Sequence, residues 1–351
     1  MAMARAETIK VGILGASGYT GADLVRLLAG HAHAEMKVLT ANQHAGKAMR
    51  AVYPHLGTLD LPDLITWEEA DWSALDVAFC ALPHGTTQEI VARMPRDLCV
   101  IDLSADFRLR DPAVYAQWYG HAHNALDLQE SAVYGLTELN REALCHAKLV
   151  ACPGCYPTAT LLALAPLLKA GAIQTGDIVV DAKSGVTGAG RKLAQNLLFA
   201  EVGEGVHPYG IGAHRHIPEM EQELTAMAGA PVRLTFTPHL LPMNRGELVT
   251  CYVKLDGADS AEALHAALAA QYQGEPFVHV LPPGEVPATR HVRGSNHAVL
   301  GVFPDRVSGR AIVIAAIDNL VKGSSGQAIQ NMNLLFDLPE STGLTQPPLF
   351  P

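Results

Sequence analysis

Near its start the chain carries a segment that leaves few folds open. Thr8 to Leu14 is a short apolar strand, Gly15-Ala16-Ser17-Gly18-Tyr19-Thr20-Gly21 is a glycine-rich turn, and Ala22 to Ala29 has the apolar spacing of a helix. Strand-like pieces do recur, at Met36–Thr40, Val77–Ala81, Cys99–Asp102 and Leu149–Ala151, with polar or helical stretches between them. This alternation predicts an α/β, doubly wound parallel sheet.

After residue 155 the texture changes. Asp177–Ala182, Val232–Thr237, Glu247–Leu255, Val278–Leu281, Ala298–Pro304 and Arg310–Ala316 are longer runs rich in Val, Ile and Thr, separated by few helices. They predict a second, α+β domain on a mixed or antiparallel sheet. Ser324 to Phe336 reads as a closing helix, and the Pro-rich tail from Pro339 as loose. A length of 351 residues suits two domains. Hydrophobic residues make up 49% and charged ones 17%, the balance of a globular chain. The net charge of −10 comes without blocks of like charge, so neither a nucleic-acid footprint nor a polybasic membrane patch is present. Met1 to Glu7 is short and polar, without the apolar core of a signal peptide, and no run is long enough for a transmembrane helix. Six cysteines are too few for a disulfide scaffold. These features predict a cytoplasmic protein with neither membrane nor nucleic acid as a partner.

The glycine turn sits where a dinucleotide-binding loop belongs in a Rossmann-type domain. Glycines let the backbone approach a pyrophosphate, and the helix N-terminus supplies N–H donors. Its G-x-x-G-x-x-G spacing departs from the commoner fingerprint. After the second strand, Leu39-Thr40-Ala41-Asn42 offers no acid to hold both ribose hydroxyls, which favours NADP(H) over NAD. Lys47, with Asn42 and Thr40, could meet the extra phosphate; a solvated surface lysine is the alternative for Lys47.

A second feature lies mid-chain, in Pro153-Gly154-Cys155-Tyr156-Pro157-Thr158, followed by the apolar run Ala159 to Leu168. A cysteine at the start of a buried helix is placed where the macrodipole favours thiolate over thiol. The competing reading is a small buried residue, the usual fate of a free cysteine.

With five further groups of strings, these two segments resemble those of the N-acetyl-gamma-glutamyl-phosphate reductases, and more distantly of the aspartate-semialdehyde dehydrogenases. The strings are Ala81-Leu82-Pro83-His84-Gly85, Asp102 to Leu109, Ser184-Gly185-Val186-Thr187-Gly188-Ala189-Gly190-Arg191, Gly212 to Glu219 with Thr237 to Pro242, and Asp318 to Gly323. The resemblance runs from about residue 8 to 338. It implies NADPH-dependent reduction of an acyl phosphate, N-acetyl-L-glutamyl 5-phosphate, to the semialdehyde and phosphate in arginine biosynthesis, by a homo-oligomer, dimer or tetramer. Such a reduction is eased when a thiolate displaces phosphate and the thioester accepts hydride.

By the same resemblance Cys155 is the nucleophile and His216 the acid/base, with His214 near the substrate; which histidine holds the acid/base role stays open, because residues two apart point opposite ways in extended chain. Arg108 resembles the arginine that holds the substrate phosphate, the alternative being an exposed arginine paired with Asp106 or Asp111. Ser184 and Gly185 would line the nicotinamide and reacting carbon, Tyr209 would contact substrate, and Asn319 would approach the nicotinamide. The cofactor residues implied are Gly15, Ser17, Gly18, Tyr19, Thr20, Gly21, Lys47, Leu82, Pro83, His84, Ser184, Gly185 and Asn319. The domains implied are an NADP-binding one over residues 1–152, completed by 319–351, and a catalytic and oligomerisation one over 153–318.

The family usually has Asn before Pro-Gly-Cys, where this chain has Cys152. The resulting CxxC pair is either a tolerated replacement or a reversible disulfide that would switch off Cys155. It also opens a thiol-disulfide oxidoreductase as a rival function, although such a module needs no dinucleotide turn. The nearer rival is the aminoadipyl-phosphate reductase of lysine biosynthesis, whose carrier-linked substrate would favour a basic rim that is not visible here. No closed set of zinc ligands is apparent, and no metal is expected.

Overall fold

A computed structural model of the chain describes residues 8–256 and 260–350; Met1 to Glu7 and the last tail residue, Pro351, lie outside the described residues. The chain forms two compact units, one running up to Pro153 and resuming over Ser324–Thr345, the other spanning Gly154–Gly323 and resuming at Gln346.

In the first unit, seven strands form one parallel sheet: β1 (Ile9–Leu14), β2 (Ala34–Thr40), β3 (Leu64–Ile65), β4 (Val77–Cys80), β5 (Cys99–Asp102), β6 (Val133–Tyr134) and β7 (Leu149–Ala151). Their order is β3-β2-β1-β4-β5-β7-β6, so the winding reverses between β1 and β4. In such sheets ligands bind beyond the carboxyl ends of the strands at that switch. Val11, Ile13, Val77 and Phe79 are fully buried, because helices cover both faces and the strands can be apolar on both. The two-residue strands β3 and β6 are too short to carry a periodicity, and the sequence does not reveal them.

Helix Gly326–Leu335 completes this unit, packing on helices Tyr19–Leu28 and Thr137–Leu144. It does so with amides: Gln327, Gln330, Asn331 and Asn333 are wholly buried. Gln327 Nε2 donates to Thr137 Oγ1 (2.6 Å), Thr137 Oγ1 to Asn331 Oδ1 (2.7 Å) and Asn331 Nδ2 to the Gly135 carbonyl (2.8 Å). The Pro-rich tail, expected to be loose, is tied down here. Asn333 Nδ2 donates to the carbonyls of Glu340 and Thr342 (both 2.9 Å), Glu340 pairs with Arg141 (2.7 Å), and Leu344 is fully buried.

The second unit holds β8 (Ile178–Gly185), β9 (His207–Pro208), β10 (Leu234–Leu241), β11 (Glu247–Lys254), β12 (Val278–Val280), β13 (Ala298–Pro304) and β14 (Arg310–Ile317). The order β12-β13-β14-β11-β8-β10-β9 contains parallel pairs β8/β10 and β12/β13 and antiparallel pairs elsewhere, a mixed sheet. Helix Cys155–Lys169 lies on β11 and β14, beside helices His216–Ala228 and Ala261–Gln271. Every residue of that helix from Tyr156 to Leu168 is buried, as an all-apolar helix requires. Residues 319–323 and the tail from Gln346 fall in this unit, not with the dinucleotide fold as expected. Asn319 accepts from Gly246 N (2.9 Å) and donates to Thr187 Oγ1 (3.0 Å), and Leu349 N donates to the Arg293 carbonyl (2.8 Å).

Candidate active site

Cys155 is the first residue of its helix, with Gly154 in extended conformation before it, and is half-buried. Two glycines let the chain close around it. A Cβ on Gly154 would stand 2.4 Å from His216 Nε2, and one on Gly323 would stand 2.7 Å from the Cys155 Cβ. The His216 ring therefore rests against the backbone immediately preceding the thiol. Glu219, one turn further along the His216 helix and 1% exposed, accepts a hydrogen bond from Gly154 N (2.9 Å) and fixes this loop from the other side.

His214 and His216 do not diverge as extended residues would, because the helix starts at His216. Their rings lie 4.7 Å apart, and His214 Nδ1 accepts the backbone N–H of His216 (3.2 Å). Burial and the adjacent Arg215 charge push His214 down to about 4. It is thus neutral at physiological pH, its proton on Nε2, and caps the helix that carries His216. The rings of Tyr156 and Tyr209 pack against His214 at 5.8 and 5.4 Å, and the Tyr209 hydroxyl donates to that of Tyr156 (3.2 Å).

Ser184 and Gly185 end β8. Ser184 is buried and its hydroxyl donates to the Gly185 carbonyl (3.1 Å), while a Cβ on Gly185 would stand 2.7 Å from the Asn244 carbonyl oxygen. The Asn319 amide is committed to Gly246 and Thr187, so it braces this turn through the hydrogen bonds described above.

In the first unit, Gly15 follows β1 with φ +75°, and a Cβ there would lie 2.4 Å from the Ala81 carbonyl oxygen. A Cβ on Gly21 would lie 2.3 Å from the Gly15 carbonyl oxygen, whereas one on Gly18 would meet nothing nearer than 3.4 Å. The turn is therefore tight at both ends and bare in its middle. Gly18 caps helix Tyr19–Leu28, whose first turn, with Tyr19, Thr20 and Gly21, leaves N–H groups without intrahelical partners. The Ser17 carbonyl accepts from the Tyr53 hydroxyl (3.0 Å). Leu82 leans over the turn, within 3.3 Å of where a Gly15 Cβ would stand, and Pro83 and His84 are exposed beside it. Asp106 holds that loop by accepting from Gly85 N (2.6 Å) and Thr87 N (3.0 Å). Lys47 is exposed in the turn after β2. Thr40 is not available to a phosphate as expected: it is buried, with its hydroxyl accepting from Gly15 N (3.3 Å).

Arg108 is not the exposed arginine of the alternative reading. It is 8% exposed, and donates from Nε to the Cys152 carbonyl (2.8 Å) and from Nη2 to the Leu103 carbonyl (3.0 Å). Cys152 is 1% exposed, with burial pushing its thiol up to about 12, and its sulfur accepts from Asn331 Nδ2 at 3.6 Å. A thiol held protonated in the interior opposes the CxxC disulfide chemistry and agrees with a tolerated replacement.

The sequence reading assigned no role to Asp106, Glu219 or Glu247. Asp106 and Glu219 stood inside the quoted strings, at Asp102 to Leu109 and Gly212 to Glu219. Glu247 left a weaker sign: an acid opening a strand that continues Leu-Val-Thr-Cys-Tyr-Val.

Sequence comparison agrees with this architecture. The family described as semialdehyde dehydrogenase, NAD binding domain, matches residues 10–147, and that described as semialdehyde dehydrogenase, dimerisation domain, matches 155–319. An N-acetyl-gamma-glutamyl-phosphate reductase of Rhodospirillum rubrum is 57% identical over 350 residues, covering 98% of this chain and 99% of its own length; one of Afipia carboxidovorans is 55% identical over the same spans. Among solved structures, aspartate semialdehyde dehydrogenase II of Vibrio cholerae superposes with TM-score 0.71 at 18% identity, covering 94% of this chain and 99% of that one, a likeness of fold. On its relatives and its two matched domains, the chain belongs to the N-acetyl-gamma-glutamyl-phosphate reductase family.

Proposed function

We propose that the chain reduces N-acetyl-L-glutamyl 5-phosphate to N-acetyl-L-glutamate 5-semialdehyde, with release of phosphate, using NADPH and a thioester on Cys155. The observation that carries this reading is Cys155 opening a buried helix with the His216 ring against the preceding glycine. The helix terminus favours the thiolate that must attack the acyl carbon. His216 is the group that meets the carbonyl oxygen as negative charge develops on it, and the neutral His214, with Glu219, holds His216 and the Gly154 loop in place. Tyr209, packed against His214, would contact the substrate. Arg108 would meet the acyl phosphate, its planar fork matching phosphate oxygens.

The glycine turn fits a dinucleotide, because it is tight where a Cβ would collide and bare at Gly18, ahead of a helix N-terminus. Gly15, Ser17, Gly18, Tyr19, Thr20, Gly21, Leu82, Pro83 and His84 would hold NADP(H) there. Lys47 would meet the 2′-phosphate, and Ser184, Gly185 and Asn319 would border the nicotinamide. When bound, the reduced cofactor supplies the hydride that converts thioester to aldehyde.

The free cysteines fit a cytoplasmic setting, and no helix among the described residues is long and apolar enough to cross a membrane. The face of the second sheet away from its helices, with Val179 and Tyr252 each 37% exposed, is where we place a second copy of the chain. The test of the reaction is phosphate-dependent reduction of NADP by N-acetylglutamate semialdehyde, for the native chain and Cys155→Ala. Turnover is expected only with Cys155, and with the aminoadipyl analogue slower; activity surviving in the alanine variant would remove the covalent route.

A further inference from the structure

Glu247 opens β11, and the strand's buried row continues with Val249, Cys251 and Val253, the face on which helix Cys155–Lys169 lies. An acid thus heads an apolar row at the end where that helix begins with Cys155. Glu247 is 0% exposed, and neither carboxyl oxygen has a partner in full hydrogen-bond geometry. The Cys155 thiol acts on this carboxyl as a hydrogen-bond donor, favouring its ionised form against burial. The placement is fixed from two directions: Glu247 pairs in register with Ser184 and Ile317, and a Cβ on Gly323 would touch both Ile317 Cδ1 (3.2 Å) and the Cys155 Cβ (2.7 Å). The groups around the carboxyl are Cys155 and Tyr156 of the helix, Tyr209, and Asp318, itself 3.5 Å from Arg245.

We propose that Glu247 is a further catalytic residue, the carboxylate that takes the Cys155 proton as sulfur attacks and returns it when sulfur leaves. This rests on the thioester reading above. In the first step the S–H bond breaks and the proton passes to the carboxylate; the C–S bond forms and the acyl C–O bond breaks, phosphate leaving with the bonding pair and taking its proton from water. When hydride reaches the thioester carbon, the C–S bond breaks, the sulfur departs with the pair, and Glu247 reprotonates it. His216 is then left to serve the acyl oxygen. Burial, helped by the Asp318 charge, pushes Glu247 up to about 8, which brings it close to the ordinary range of a thiol, as an efficient proton exchange requires.

The test uses the full-length protein without substrate or cofactor. Cys155 is alkylated with iodoacetamide across a range of pH and its peptide is quantified by mass spectrometry. Two interacting groups titrate in two steps, so the native profile is expected to show two inflections and Glu247→Gln one. A single inflection in the native chain, or an unchanged profile in Glu247→Gln, overturns the proposal. Should Glu247→Gln not fold, infrared difference spectra of the native chain serve instead: alkylating Cys155 is expected to shift a protonated-carboxyl band, and no such shift overturns the idea. In turnover, Glu247→Gln is expected to lower kcat about a hundredfold with KM nearly unchanged. If the alkylation profile has two steps but Cys155→Ala still turns over, the thioester reading fails while the proton-sharing pair stands.

Discussion

Helices Cys155–Lys169 and Gly326–Leu335 are both buried, and by opposite means. The first is Leu, Ala, Thr and Pro from Tyr156 onward and is held by excluding water from its whole circumference. The second buries Gln327, Gln330, Asn331 and Asn333, and is held because those amides find partners in Thr137, Gly135, Glu138 and the tail. The difference teaches where each unit is fragile. Apolar packing degrades gradually as volume is lost, whereas an amide network fails at whichever partner is left unsatisfied.

Substitutions in the two helices test that contrast. Leu164→Ala, at a fully buried site, is expected to lower stability by about 2–5 kcal/mol in denaturant titration. Asn331→Leu should cost about 1–3 kcal/mol, since it strands the Gly135 carbonyl and takes the acceptor from the Thr137 hydroxyl. If both substitutions cost the same and the Asn331 defect were insensitive to a second change at Thr137, the helices would not differ in kind. The smallest effect distinguishes the units by pH. Burial pushes Asp102 of the first unit up to about 7 and Glu247 of the second up to about 8. Each carboxyl is more easily ionised in the unfolded chain. Its stabilising contribution is therefore complete below the ordinary carboxylate range and lost as pH rises through about 7 and about 8, respectively. Asp102→Asn and Glu247→Gln should each flatten the decline in melting temperature over that interval, measured by calorimetry, without changing its acid side.

What was legible in the sequence follows the same division. The strand at Cys99–Asp102, the glycine turn and the start of the Cys155 helix each follow from local rules of period, turn and cap. The closing helix was legible as a helix, but its docking was not, because an Asn331 to Gly135 hydrogen bond joins residues 196 positions apart and leaves no periodic trace. The tail looked loose for the same reason: its ties to Asn333 and Arg141 are individual hydrogen bonds. At the site, the strings named Cys155 and His216, but single sequence spacing could not foresee that a helix beginning at His216 would bring His214 beneath it. Glu247 was invisible as a partner of the thiol, since only strand register and the glycine at 323 bring the two together.

The division of the first unit into two separated stretches of chain also sets a timetable for its making. Its last sheet strand is synthesised by Ala151, but the helix that satisfies Gly135 and Thr137 arrives only with Gly326–Leu335. At ordinary translation rates that interval lasts on the order of ten seconds or more. Until then the Gly135 carbonyl and the Thr137 hydroxyl lack the partners that this helix supplies.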